Sequence, residues 1–362
     1  MSPDVIVVGG GAIGSAIAFN LARDGVRVSL YDRGDPGQAT RVSAGLLAPL
    51  SERHPQDAFG RLAHESAALH PRLAAELQER TGIDPGYRAT GLLRLAMSGD
   101  EAEQLRDDGA SGRLGRDRLL ALQPGIGAEV TAAVWSDEHQ VSPAPLARAL
   151  QRAAADMGAS VHLGCGVDSL VVEGSRVTGV RIGSTKVSCG EVVLASGAWT
   201  AAWEDQLKTR LPLRPVRGQM VLLEPPVPGL RHILFTSQGY LALKAEGHVY
   251  VGATQEEAGF DARATVDGIA SLLALARRVL PALGGATVLA TGAGLRPATP
   301  DRLPLIGRLP GWAGVSVAAG HFRNGILLAP ITAELISDLL AGRTPRLALE
   351  EFDPARFLVH VA

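Results

Sequence analysis

The feature that most constrains this chain lies at its N-terminus, where an apolar run from Asp4 to Val8 passes straight into GGGAIG and then into an alanine-rich stretch ending near Asp24. The run reads as a short buried strand and the stretch as a helix. Between them, Gly9, Gly11 and Gly14 form GxGxxG. In that pattern the first glycine permits the tight turn, the second lets backbone approach a pyrophosphate, and the third lets helix pack on strand. The helix N-terminus then faces the phosphates with unpaired N–H groups. A second apolar run, Val26 to Tyr31, stops at Asp32, where a carboxylate can accept from both ribose hydroxyls and would repel a 2'-phosphate. A glycine-rich turn alone is weak, since many turns need glycine for steric reasons only. Flanked by strand, helix and a second strand ending in Asp, it points to FAD or NAD rather than NADP.

The choice between those two rests on the remainder of the chain. Residues Ala39 to Pro49, ATRVSAGLLAP, are small or hydroxylated, as a backbone lying against a flat cofactor requires. The same composition also fits an ordinary flexible loop. Near the other end, Gly320 to Gly325 precedes a further helix, so N–H groups and a positive dipole end can face the electron-rich edge of a reduced flavin. An NAD enzyme has no evident use for that second terminus, and FAD is favoured.

At 362 residues the chain exceeds the size at which one core usually stops growing, so two packed domains are expected. A net charge of -2 with interspersed signs gives no field for nucleic acid or an anionic membrane. Cys165 and Cys189 are too few and too far apart for a disulfide framework or a zinc cluster, and a reducing cytoplasm fits them. No apolar stretch is long enough to span a bilayer, and no charged signal head precedes the first strand. No metal is expected.

Helical spacing covers Phe59 to Arg80, Leu146 to Met157 and Thr265 to Leu280. Strands are expected at Gly91 to Met97, Ser160 to Leu163, Val167 to Val172, Val177 to Ile182 and Glu191 to Ala195, the last running into SGAW. Between Leu213 and Val251 the pattern becomes antiparallel, with turn signals at Gln238-Gly239 and Glu246-Gly247. A strand leads to Gly294, and GHFRNGILLAP closes the chain into a helix reaching about Leu340. The order implies an α/β protein: a Rossmann-type FAD-binding domain, discontinuous over 1–83, 143–211 and 295–362, with an antiparallel-sheet substrate-binding domain over 84–142 and 212–294.

With GGGAIG, VSAGLLAP, SGAW, RGQM, GLRP and AGHFRNGILLAP all present and in order, the chain resembles the D-amino-acid oxidase-like flavoenzymes. Within them it is most similar to the group that oxidises glycine for thiamine biosynthesis. The resemblance covers nearly the whole chain and implies the site residue by residue. Gly9, Gly11, Ala12, Ile13 and Gly14, Asp32 and Arg33, Ala39 and Thr40, and Ala44, Gly45 and Leu46 match positions that line FAD. Val167 matches one that meets the adenine through backbone, and Gly197 lies in the SGAW match. Gly320, His321, Phe322, Arg323, Asn324, Gly325, Ile326 and Leu327 match the segment running under the isoalloxazine. Arg296 corresponds to the arginine that grips the substrate carboxylate, Tyr240 to the tyrosine that helps it, and Arg323 to a second arginine near the substrate. A noncovalent flavin is implied, because members with covalent flavin use a cysteine in the C-terminal part. A homotetramer and molecular oxygen as acceptor follow from the family as well. One departure stands out: Gln255, in GATQEEAG, replaces the methionine that the glycine-oxidising group tends to carry. It adds polarity beside the substrate if it faces the pocket, and nothing if it faces solvent.

The residue types support this chemistry on their own terms. A planar guanidinium matches a carboxylate bidentately, so Arg296 suits substrate capture, with pairing to a nearby acid such as Asp301 as the lesser alternative. A lone tyrosine such as Tyr240 is more often core or rim than ligand. His321 is tempting as a base, but hydride transfer from the neutral amine needs none at the carbon, and it reads as a packing element beside the flavin. The expected reaction is oxidative deamination of glycine or another small amino acid to a 2-oxo acid, ammonia and hydrogen peroxide. The rivals are an oxidase or dehydrogenase of D-amino acids or N-methylglycine, a flavin-binding protein without turnover, and an NAD-dependent dehydrogenase.

Overall fold

The computed structural model describes residues 2–51, 57–105, 112–226, 229–244 and 247–357; Glu246, half of one expected turn, lies outside them. At the centre is β1 (Val5–Val8), paired in parallel with β2 (Val28–Asp32) on one side and with Glu191–Leu194 on the other. All four residues of β1 are buried, which is why the run reads as continuously apolar rather than alternating. Val315–Ala319 extends the sheet in parallel beyond Glu191–Leu194, Leu305–Arg308 closes that edge antiparallel, and Ser160–Leu163 closes the other.

Helix α1 (Ala12–Arg23) packs on this sheet through Ala12, Gly14, Ser15, Ala16 and Ala18, all buried. Small side chains are what allow the approach. A Cβ on Gly14 would stand 1.9 Å from the Gly9 carbonyl oxygen, well inside van der Waals contact. The carbonyl of Gly10, on the same turn, is held by the Ser15 hydroxyl at 3.1 Å and the Gln151 amide at 2.9 Å.

The strands expected at Val167–Val172 and Val177–Ile182 lie outside the parallel sheet. Ser169–Glu173, Arg176–Ile182 and Thr185–Ser188 form their own three-stranded antiparallel meander. The cause is loop length: Gly174-Ser175 and Gly183-Ser184 are two-residue links, and a parallel crossover needs a dozen residues or more.

The second large sheet has eight strands in the order Thr287–Ala298, Arg214–Glu224, Val249–Gly252, Gly239–Leu243, Ile233–Thr236, Leu92–Ala96, Ala132–Ser136 and Arg113–Leu114. It is antiparallel as expected except where Ile233–Thr236 meets Leu92–Ala96 in parallel. Those two strands come from separate excursions of the chain, so no hairpin dictates their direction. Strict alternation gives this sheet two faces. Leu93, Val221, Leu234, Leu241 and Val251 pack with Leu272, Leu275 and Val279 of the helix Val266–Val279. Arg94, Gly218, Phe235, Tyr240 and Tyr250 fall on the opposite face.

Two buried histidines set a pH dependence for the fold. His70, on the helix Ala58–Thr81, bonds the Leu327 carbonyl through Nε2 at 3.1 Å, beside Ser66 at 2.6 Å. Burial lowers its pKa to about 4, and burial lowers that of His321 to about 3. Both therefore stay neutral in the folded protein while the unfolded chain takes up protons near pH 6.5. Their contribution to stability is complete above that pH and is lost progressively as pH falls towards 4 and 3, at about 1.4 kcal/mol per pH unit for each histidine. His70→Gln keeps an N–H for Leu327 and does not titrate. Urea unfolding between pH 6.5 and 4.5 should give it a slope shallower than the parent's by about 1 kcal/mol per unit on average; identical slopes would refute the assignment.

Candidate active site

A single cavity of about 1010 Å³ runs from the first βα turn to the open face of the eight-stranded sheet. At its nucleotide end the glycine turn is locked by Asp32. The carboxylate accepts from Gly10 N at 2.6 Å through one oxygen, and from Gly34 N at 2.9 Å and Gln38 Nε2 at 2.7 Å through the other. A carboxylate offers about four acceptor positions, so one remains for a ribose hydroxyl where two hydroxyls were expected, and the Gln38 amide stands next to it on the cavity wall. Arg33 turns away to donate to the Val167 carbonyl at 2.9 Å, bracing the wall formed by Gly166, Val167 and Asp168.

The loop read as small and hydroxylated contains a short helix, Ala39–Val42, and a two-residue strand, Leu46–Leu47. Thr40 Oγ1 accepts from Ala12 N at 3.0 Å, tying the loop to the start of α1. Gly45 has φ +77, and a Cβ there would come within 2.3 Å of the Val141 carbonyl. Lys244, partly buried, reaches this loop from the other sheet: its Nζ donates to the Ala44 carbonyl and to Gln140 Oε1 at 3.0 Å. Burial lowers its pKa to about 7.

His321 to Ile326 form the facing wall. The regular helix starts only at Ala329, with Pro330 in its first turn. It is preceded by a turn in which Leu328 N donates to the Asn324 carbonyl at 2.8 Å. The backbone N–H groups expected over a flavin thus belong to that preliminary turn. His321 is buried, with Nε2 3.0 Å from the Thr332 hydroxyl.

At the sheet end, Arg296 lies over Gly218 of the neighbouring strand: a Cβ on Gly218 would be 2.2 to 2.3 Å from the guanidinium. Its Nη1 donates to the Thr254 carbonyl at 2.9 Å. Asp301, the alternative partner, is instead engaged by Arg356 at 2.8 Å. Tyr240 stacks between Phe235 and Tyr250, each 6.1 Å away and nearly parallel. The Tyr250 hydroxyl donates to the Val42 carbonyl, and burial keeps its phenol pKa well above the ordinary value. Gln255 is exposed, yet contributes to the cavity wall.

The cavity thus brings together every expected residue except Gly14, Gly320 and Leu327, which act behind its wall. Gly14 permits helix-strand contact, Gly320 has φ +81 with Thr299 against it, and Leu327 is the carbonyl held by Ser66 and His70. Sequence reasoning missed Gln38, Trp199 and Tyr250, all on the wall. Tyr250 was within reach, because it precedes Gly252 by two in VYVG and so shares its face, next to Tyr240.

A glycine cradle, a corridor lined by backbone and small side chains, and an arginine with a tyrosine at its far end define a dinucleotide-dependent oxidoreductase acting on a small carboxylate. The chain belongs to the FAD dependent oxidoreductase family, whose profile matches residues 4–339. The residues present fit FAD: the turn excludes side chains where a pyrophosphate must approach, and the corridor continues past it to the substrate sheet. The protein is an FAD-dependent enzyme of amino-acid oxidation. It is 36% identical over 352 residues to glycine oxidase of Pseudomonas putida, covering 95% of this chain and 96% of that one. The crystal structure of glycine oxidase from Geobacillus kaustophilus superposes with a TM-score of 0.93 at 35% identity, covering 99% of both chains. A relative in Trichormus variabilis, the bifunctional protein ThiO/ThiG, is 35% identical over 99% of this chain and 55% of its own length. No helix among the described residues is long and apolar enough to cross a membrane.

Proposed function

We propose that the protein oxidises glycine to glyoxylate and ammonia, passing electrons to molecular oxygen to give hydrogen peroxide, and that this serves thiamine biosynthesis. The observation that carries the reading is the placement of Arg296 and Tyr240 in the same cavity as the glycine cradle. FAD, held by Gly9 to Ile13, Asp32, Thr40, Ala44 to Leu46 and His321 to Ile326, supplies the two-electron acceptor for the carbon-nitrogen bond. Arg296 takes the substrate carboxylate through its fork, and Tyr240 donates its phenol to the same group. Together they hold the α carbon and a neutral amine in one orientation, which is most of the catalytic demand when no proton must leave carbon. His321, neutral and bonded to Thr332, orders the wall without exchanging a proton. The resulting imine hydrolyses in water.

The division into an FAD-binding domain over 1–83, 143–211 and 295–362 and a substrate-binding domain over 84–142 and 212–294 belongs to the same proposal. So do noncovalent flavin, supported by Cys165 and Cys189 lying off the cavity wall, a homotetramer and a cytoplasmic location. Gln255 favours a second reading, in which N-methylglycine or a small D-amino acid is preferred, because it contributes to the cavity wall at the position where methionine is usual.

Anaerobic mixing with glycine, N-methylglycine and D-alanine separates these. Bleaching of the flavin bands near ~370 and ~450 nm should be fastest with glycine and reverse in air. Faster bleaching by either competitor would move the substrate, and no bleaching by any of the three would overturn the reading.

A further inference from the structure

Beside the Thr254 carbonyl that holds Arg296 lies a polar cluster in which Arg217 and Gln219 are buried and Thr254 and Glu256 partly buried. We propose that Arg217, Gln219, Thr254 and Glu256 are positioning residues that set the direction of the Arg296 guanidinium through the Thr254 carbonyl. The inference rests on Arg296 binding the substrate carboxylate.

The alternation of Arg214–Glu224 places Gly218 on the cavity face, under Arg296, and puts Arg217 and Gln219 on the face packed against the helix Val266–Val279. There they meet the segment that carries Thr254. The backbones of Arg217 and Glu256 exchange two hydrogen bonds of 2.9 Å. Glu256 accepts Arg217 Nε at 3.1 Å on one carboxylate oxygen, and Gln219 Nε2 at 2.7 Å with the Thr254 hydroxyl on the other. Thr254 Oγ1 accepts Gln219 N at 2.9 Å, and Gln219 Oε1 accepts Thr265 N at 2.7 Å. Burial pushes the Glu256 carboxyl up, but the bonds from Thr254, Arg217 and Gln219 outweigh it and hold its pKa below the ordinary value.

Thr254 is therefore held at its hydroxyl by two partners while its carbonyl accepts Arg296 Nη1 at 2.9 Å. A guanidinium is planar, so fixing one nitrogen against Thr254 and the plane against Gly218 determines where the rest of the fork points. A loop merely stapled to a sheet would not need its staples to converge on the residue whose carbonyl holds the substrate arginine.

The test is a double-mutant cycle in the holoenzyme, read by perturbation of the flavin spectrum with acetate, a carboxylate that lacks the amine. Glu256→Gln and Thr254→Val should each weaken acetate binding about tenfold or more. They should raise KM for glycine more than they lower kcat. Thr254→Ser, which keeps the hydroxyl, should bind like the parent. In an Arg296→Leu background, Glu256→Gln should have no further effect. Acetate binding within twofold of the parent in both Glu256→Gln and Thr254→Val, whatever their thermal stability, would overturn the proposal, as would full additivity with Arg296→Leu. If Arg296→Leu alone leaves acetate binding unchanged, the role of Arg296 fails and takes this proposal with it.

Discussion

Replacing Arg296 by leucine is expected to lower kcat/KM for glycine about a thousandfold, near 4 kcal/mol, while the flavin spectrum stays intact. Leucine fills part of the space over Gly218 and leaves the Thr254 carbonyl unpaired, but it offers nothing to a carboxylate brought into the cavity. The loss should therefore be far larger than for an exposed ion pair, which contributes 0 to 1 kcal/mol or so. Lysine at the same place keeps the charge without the planar fork and should recover only part of the activity. Steady-state kinetics with glycine, alongside the visible spectrum, checks this. A loss below tenfold with flavin retained would mean that the carboxylate is held elsewhere, and Arg323, exposed on the same cavity, is the next residue to replace.

The second large effect belongs to the cofactor end. Gly14→Ala should yield a protein purified nearly free of flavin, with FAD affinity reduced at least about a hundredfold. The added Cβ meets the Gly9 carbonyl oxygen at 1.9 Å and Ala195 Cβ at 3.3 Å. Neither is the end of a flexible side chain, so α1 must lift from β1 and carry its N-terminal N–H groups away from the phosphates. Gly99→Ala is the matched control, since a Cβ there meets nothing within 4 Å. The ratio of flavin to protein absorbance in the two purified variants is the readout. A yellow Gly14→Ala protein of normal affinity would mean that the turn can shift without disturbing the cofactor.

The nucleotide cradle was legible because its requirements are local. Gly9, Gly11 and Gly14 sit within one turn between a strand and a helix, and each is demanded by backbone geometry that a short stretch of chain already determines. Asp32 belongs to the same local logic, closing the second strand of a βαβ unit. Periodicity likewise located the helices and most strands, because burial on one face or on both leaves its period in the residues that bury. Arg296, Tyr240 and the closing GHFRNGILLAP were found through resemblance; guanidinium chemistry alone favoured substrate capture by Arg296 but left Asp301 open as a partner.

What needed the tertiary structure is whatever depends on partners distant in the chain. Strand direction between Ile233–Thr236 and Leu92–Ala96 and the pairing of Asp301 with Arg356 both turn on which segments arrive side by side. Side-chain period records burial but not neighbour identity. The three bonds that occupy Asp32, one of them from Gln38, and the cluster converging on Thr254 were invisible for the same reason. Hydrogen-bond networks are satisfied by whichever groups the fold brings within about 3 Å, and the composition of each strand says only that polar groups are present to be satisfied. The sequence alone determined that this chain cradles a dinucleotide; the packing of the two sheets decided that Arg296 lies in the cavity over Gly218 and that the Thr254 carbonyl holds it there.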